Sequence, residues 1–251
     1  MHRRAHWLDS RQDQALNTPM NEGENAPLAR YRVWDLTTRL IHWSLVLLVL
    51  MQFGTAEWGW LSMRWHFYFG YAILVLVGVR VLWGIVGSDA SRFAHFVRGP
   101  RTVAAYMRGT LWRHFGHPVS HNPLGALSVL ALLVLLAVQG ISGLFASDDI
   151  DTFGPLSGRV SNATVRLMTR IHGINQKLLL GLITLHIAAV LLHALVRREE
   201  HLITAMITGC KRLARDPQLR FVGIGGALLL AAALAFLLWA VLRWGQAVAA
   251  Y

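Results

Sequence analysis

The stretch RIHGINQKLLLGLITLHIAAVLLH, Arg170–His193, is apolar and long enough to cross a bilayer, yet it carries His172, His186 and His193. Because His172 and His186 are fourteen residues apart, an α-helix separates them by ~21 Å of rise and nearly four whole turns. Both rings therefore leave almost the same face, at opposite depths of a membrane. Ionisable side chains inside a span are costly and mark function by default. The reading of the chain grows outward from these two positions.

Composition sets the class. The chain has 251 residues, 55% hydrophobic and 15% charged, with a mean hydropathy of +0.43, which belongs to membrane proteins. Ten Trp suit the aromatic belts at bilayer interfaces. A formal charge of +11 raises the question of nucleic acid, but the basic residues lie between apolar spans, with no separate basic domain to track phosphates. The lone Cys210 excludes an internal disulfide, a Cys-based iron–sulfur cluster and covalent haem attachment through C-x-x-C-H. The first thirty residues are polar and lack an apolar h-region, so no cleavable signal peptide is expected there.

Five segments are long enough to span: Leu40–Trp60, His66–Val86, Leu124–Phe145, Ile171–Val196 and Phe221–Leu242. Trp58, Trp60 and Trp65 bracket the end of the first. Within Gly87–Pro123, the run from Thr102 to Met107 is expected to form a short helix on the membrane surface. Seventeen of the 24 Lys and Arg fall before Leu40, in Gly87–Pro123 and in Arg197–Arg220. Five crossings put those three regions on one side, and the positive-inside rule makes that side cytoplasmic. The N-terminus is then cytoplasmic and the C-terminus on the outer side. Anionic lipid accounts for the basic loops. The fifth span lacks His, Asp and Glu, and its small residues suit helix packing.

This topology assigns depths. His42 lies near the cytoplasmic face and His66 near the outer face; in the fourth span His172 is outer and His186 inner. The depths match in pairs, His66 with His172 and His42 with His186, and facing helices of a bundle build cofactor sites in this way. Imidazole is an ordinary axial ligand of haem iron. A lone histidine at a helix end is ordinarily interfacial, so the weight rests on the pair carried by the fourth span. His193 is one heptad beyond His186 and close to Arg197, which suits headgroups or a haem propionate. His114, His117 and His121 are interrupted by Gly116 and Pro118 and fit a solvated loop better than a metal site. His2, His6, His95 and His201 carry no signal.

Haem also needs small residues against its face and cations for its propionates. Gly70, Gly78, Gly125, Gly140, Gly143, Gly173 and Gly181 are the available glycines, although glycine is common in membrane helices anyway. Arg64, Arg166 and Arg170 fall near the outer site and Arg39 near the inner one. Arg80, fourteen residues after His66, reaches the inner level as a buried cation that an anionic propionate would satisfy, unless it snorkels to the cytoplasmic face. Lys177 either snorkels outward or serves the outer site.

With these residues in view, the chain resembles the bacterial b-type cytochromes that include the cytochrome b subunits of membrane-bound nickel–iron hydrogenases. The matching stretches are VWDLTTRLIHW (Val33–Trp43), HFYFG (His66–Gly70), HNPLG (His121–Gly125), the fourth span, and REEHLITAMITG (Arg198–Gly209). Coverage runs from about Arg32 to Lys211, and the fifth span departs from that four-helix core. The resemblance places haem-binding histidines at His42, His66, His172 and His186. It implies an electron carrier with two non-covalent haem b groups, exchanging electrons between membrane quinone and a periplasmic redox protein such as a hydrogenase or a c-type cytochrome.

The resulting expectation is an all-α integral membrane protein: a four-helix transmembrane haem-binding bundle plus a fifth C-terminal transmembrane helix. Residues 1–31 form a cytoplasmic tail expected to be disordered, 32–211 the di-haem domain, and 212–251 a linker and the extra helix. The functional expectation is a di-haem electron-transfer subunit of a respiratory oxidoreductase. Two alternatives stand beside it: a self-contained quinone oxidoreductase using the same haems, and a non-haem transporter or scaffold with pathway histidines. No catalytic acid, base or nucleophile is legible.

Overall fold

The computed structural model describes residues 28–108, 122–196 and 202–247. Residues 1–27 of the expected tail lie outside these, as do His2, His6, His114, His117, His121 and His201. In chain order the elements are β1 (Ala29–Arg32), α1 (Leu36–Ala56), α2 (Met63–Val86), the short α3 (Phe93–Phe96), α4 (Pro100–Arg108), α5 (Pro123–Gly143), α6 (Asn162–Val196), α7 (Leu202–Thr208), β2 (Cys210–Leu213) and α8 (Ile224–Ala247). Five of them, α1, α2, α5, α6 and α8, are long and apolar enough to cross a membrane. Four therefore match the expected bundle and α8 is the extra span.

Local chemistry sets the helix ends. Asp35 caps α1 by accepting from the Thr38 amide at 2.6 Å, and Asn122 caps α5 by accepting from the Gly125 amide at 2.7 Å, ahead of Pro123. Both are strong N-cap types, and proline is favoured in the first turn, where its missing N–H is not needed. The first span ends at Ala56, earlier than Trp60, because Gly59 takes φ +61° and turns the chain. Trp60 then folds back, its amide donating to the Gly54 carbonyl at 3.0 Å.

The fourth span departs most from the sequence reading. Helix α6 begins at Asn162, nine residues before Ile171, with the Thr164 amide bonded to Ser161 Oγ. At 35 residues it is about 52 Å long, well beyond the ~30 Å hydrocarbon layer. Its polar first turns project past the membrane, and His172 stands inside the helix rather than at its start.

Apolar surface alone does not drive helices together in lipid, so close approach depends on small residues and polar ties. Helix α2 is the hub, packing on α1, α5 and α8, while α6 packs on α5. A Cβ on Gly78 of α2 would lie 2.9 Å from Leu234 of α8, and one on Gly140 of α5 would lie 2.5 Å from Leu74 of α2. These two glycines, candidates for a haem face, instead serve helix contacts. Ile73, Val77, Leu133, Leu136 and Leu179 form the central core, with Leu45, Leu48 and Ile183 packed around it.

A two-stranded antiparallel sheet closes one end of the bundle, pairing Ala29 with Leu213 and Arg32 with Cys210. It places residues 29–31 in a strand rather than the expected tail, and it crosses the expected boundary between residues 211 and 212. Gly209, at φ +84°, turns the chain from α7 into β2, and its carbonyl accepts from the Val33 amide at 2.7 Å. Arg39 Nε donates to the Met206 carbonyl at 3.3 Å, its Nη2 to that of Ile207, and Trp43 Nε1 to that of Met206. The end of α7 is thus pinned to α1.

Beneath the sheet lies a buried polar cluster. Asp35, 1% exposed, accepts from Trp83 Nε1 at 3.0 Å and Ser91 Oγ at 2.9 Å as well as from Thr38. Arg80, 6% exposed, donates to the Ser91 carbonyl at 3.2 Å and stands over the Phe93 ring. Tryptophan and arginine inside a span are satisfied here by protein groups, as burial demands.

Candidate haem sites

The matched histidine depths appear as two levels. At the level far from the sheet, the rings of His66 on α2 and His172 on α6 have centroids 6.4 Å apart with an interplanar angle of 67°. At the sheet level stand His42 on α1 and, fourteen residues beyond His172 on α6, His186. Leu179 of the central core falls midway between His172 and His186 on α6, so an apolar layer separates the levels. All four histidines are half-buried.

Each far-level ring is held through Nδ1. His66 Nδ1 lies 3.2 Å from Thr55 Oγ1. That hydroxyl gives its own proton to the Met51 or Gln52 carbonyl, so it accepts from the imidazole and leaves His66 Nε2 with a lone pair. His172 Nδ1 lies 3.0 Å from the Gln139 carbonyl and 3.2 Å from Ser142 Oγ, while its Nε2 faces the Gln139 carboxamide nitrogen at 3.1 Å. A carbonyl accepts only, so Nδ1 carries the proton here too. This is the tautomer a metal-ligating histidine needs, fixed by the bond its other nitrogen makes.

The residues fit a haem. An imidazole nitrogen sits about 2 Å from the metal it ligates, which sets two ring centroids on opposite sides of one ion roughly 6 Å apart. The His66–His172 separation meets that requirement. Helices α1 and α6 do not pack along each other, and the Gln176–Glu57 hydrogen bond of 2.5 Å ties α6 to the far end of the first span. Beside α6, a Cβ added at Gly173 or Gly181 would meet nothing within 4 Å, which leaves room for a flat group. Gly143 works differently: its missing Cβ would come within 2.9 Å of His172 Cε1, so this glycine makes room for the ligand ring.

The sheet level is built of other materials. Trp43 meets the His42 ring edge-on at 5.1 Å. Among the described residues neither His42 nor His186 makes a hydrogen bond. Ile41 packs with Val79 and Trp83, which brings Arg80 to His42's level, although its guanidinium is engaged by Ser91 and Phe93. Arg39 is turned to the α7 carbonyls. Arg64, Arg166, Arg170 and Lys177 are exposed toward the far end, and His193 is half-buried near the end of α6.

Sequence reading passed over Thr55, Gln139, Ser142 and Asn175. Asn175 is 4% exposed and donates to the Leu135 carbonyl at 2.9 Å and to Gln139 Oε1 at 2.7 Å. A signal was present, since an uncharged polar side chain within an apolar span usually has a helix partner.

Five membrane-length helices, with the imidazoles of His66 and His172 facing each other between two of them, describe a multi-pass membrane protein with room for a cofactor between its helices. The prokaryotic cytochrome b561 family matches residues 33–209, and the chain belongs to that family; it binds haem b and transfers electrons. Neither a curated protein nor a solved structure matches the chain. The family match stops short of α8.

Proposed function

We propose that this protein binds two haem b groups, ligated by His66 with His172 and by His42 with His186, and passes electrons between membrane quinone and a periplasmic redox protein. The observation that carries the reading is the His66–His172 ring separation of 6.4 Å, with His186 fourteen residues further along the helix that carries His172. Haem supplies a reversible one-electron couple to each level.

The chain's own residues do the rest. His66 and His172 are held at Nδ1, in the tautomer that leaves Nε2 to ligate. Helix α6 holds His172 and His186 ~21 Å apart, and the apolar layer around Leu179 keeps water from the space between. Ligation from both sides leaves no open coordination position, which suits electron transfer and not oxygen activation. The positive-inside rule supports a cytoplasmic sheet end and N-terminus, with the His66–His172 level outward, and the proposed location is the bacterial inner membrane. Arg170 at the outer level is an exposed cation for a propionate, whereas Arg80 and Arg39 at the inner level would first have to release Ser91 and the α7 carbonyls. A hydrogenase or a c-type cytochrome is the class of partner proposed for the periplasmic side.

The test is a pyridine haemochrome count on the purified protein. Two haem b per chain are expected. The variant His186→Ala is expected to lose the inner haem and keep the outer haem's spectrum. A count of one in the wild-type protein, or retention of both haems in the variant, overturns the pairing.

A further inference from the structure

The two histidine levels differ in what holds their rings. In α6, Asn175 lies three residues after His172, on the same face. Its Nδ2 donates to the Leu135 main-chain carbonyl, which can only accept, so the orientation of the Asn175 amide is settled. The same Nδ2 donates to Gln139 Oε1 at 2.7 Å, which turns the Gln139 amide nitrogen toward His172 Nε2 at 3.1 Å. Gln139 therefore grips the ring at both nitrogens: its carboxamide donates to Nε2 and its carbonyl accepts from Nδ1–H at 3.0 Å. Across from it, Thr55 accepts from His66 Nδ1. The His42–His186 level has no counterpart among the described residues.

We propose that Gln139, through its main-chain carbonyl on His172 Nδ1, and Thr55, on His66 Nδ1, are positioning residues for the outer haem, and that they hold its midpoint potential below that of the inner haem. The inference rests on the two-haem reading above. An Nδ1–H that donates to a carbonyl or hydroxyl makes the other nitrogen a stronger base. A stronger axial base favours the ferric state, and hydrogen bonding of this kind is one of the protein's levers on haem potential. Both outer ligands receive it. Charge acts in the same direction: the buried Arg80 stands at the inner level and favours the reduced, less positive iron there. Asp35 offsets part of that effect, while Arg64, Arg166 and Arg170 at the outer level are exposed and screened by salt and water. An electron arriving from the periplasmic side then moves energetically downhill from outer to inner haem. The Gln139 grip on His172 also keeps the ring in its ligating tautomer before the iron takes Nε2.

The experiment is a spectroelectrochemical titration of the haem-loaded full chain, with the two signals assigned from His42→Ala, which keeps the outer haem. The wild-type protein should show two midpoints, the outer one lower. Thr55→Val should shift the outer midpoint upward and leave the inner one in place, whereas Thr55→Ser should keep the wild-type value. Coincident midpoints, an outer midpoint above the inner, or an outer midpoint unmoved by Thr55→Val overturn the inference while leaving two haems in place. A count of one haem per chain defeats the two-haem reading and this inference with it.

Discussion

His172 is gripped at both ring nitrogens by a single residue of the neighbouring span, Gln139, through its main-chain carbonyl at 3.0 Å and its carboxamide at 3.1 Å. One helix thus carries the ligand and another chooses its protonation state. Ligation of haem by His172, as proposed, would require the carboxamide to yield Nε2 while the carbonyl keeps Nδ1.

Gly143 lies one turn beyond Gln139 on α5, and a Cβ there would reach within 2.9 Å of His172 Cε1. Gly143→Val should push the ring out of line and lower outer-haem affinity about 10- to 100-fold, the range for lost support of a metal ligand. The inner haem should remain. Haem titration of the apoprotein, followed at both signals, checks this.

Asp35 holds the sheet end together. Asp35→Ala leaves Trp83 Nε1, Ser91 Oγ and the Thr38 amide without their acceptor and Arg80 without its nearby counter-charge. Loss of a helix cap and of a buried counter-ion together should cost about 3 kcal/mol, read by unfolding in detergent. Asp35→Asn should recover part of the loss.

The same carboxyl predicts an acid dependence. Burial acts to raise the Asp35 pKa, but hydrogen bonds including those from Thr38 and Trp83 outweigh it and hold the group below its ordinary value. A depressed carboxylate contributes stability that is present above its unfolded pKa of about 3.9 and lost as pH falls through the folded value. The wild-type protein should therefore lose stability below pH ~4 more steeply than Asp35→Asn.

Asp148 organises the loop between α5 and α6, its Oδ1 accepting from the amides of Ile150, Asp151 and Thr152. Those bonds lower its pKa to about 2. Asp148→Ala should abolish hydrogen-exchange protection at the three amides without changing haem content. In the wild-type protein protection should persist at pH 4 and fade as pH approaches 2.

Helix α8 is tied down at both ends. The Arg220 amide donates to Asp89 Oδ2 at 2.9 Å and the Val222 amide to Ser88 Oγ at 3.0 Å. At the other end Arg159 Nε donates to the Gly245 carbonyl at 2.9 Å, and its guanidinium lies over Trp244. Arg159→Ala should destabilise the docking of α8 by about 1 kcal/mol, seen as faster proteolysis at the C-terminal end. Both haem spectra should be unchanged, since the histidine levels lie on α1, α2 and α6.

The sequence by itself determined five crossings, because apolar length against bilayer thickness is a one-dimensional property. It also carried the separation of His172 and His186 along one helix, since helical rise converts residue number directly into distance, and the expected partner of His172, His66, lies beside it. What only the tertiary structure decided depends on contacts between segments far apart in the chain. Ala29–Arg32 reads as tail until β2 offers it a partner. Gly78 and Gly140 read as haem-facing until Leu234 and Leu74 are seen against them, whereas Gly143, of identical type, is the one that accommodates a ligand ring. Gln139 and Asn175 are two polar residues in two apolar helices, and nothing in either helix alone points one at the other. Their hydrogen bond exists because packing α5 on α6 leaves these side-chain amides each other, the Leu135 carbonyl and the His172 ring to satisfy them.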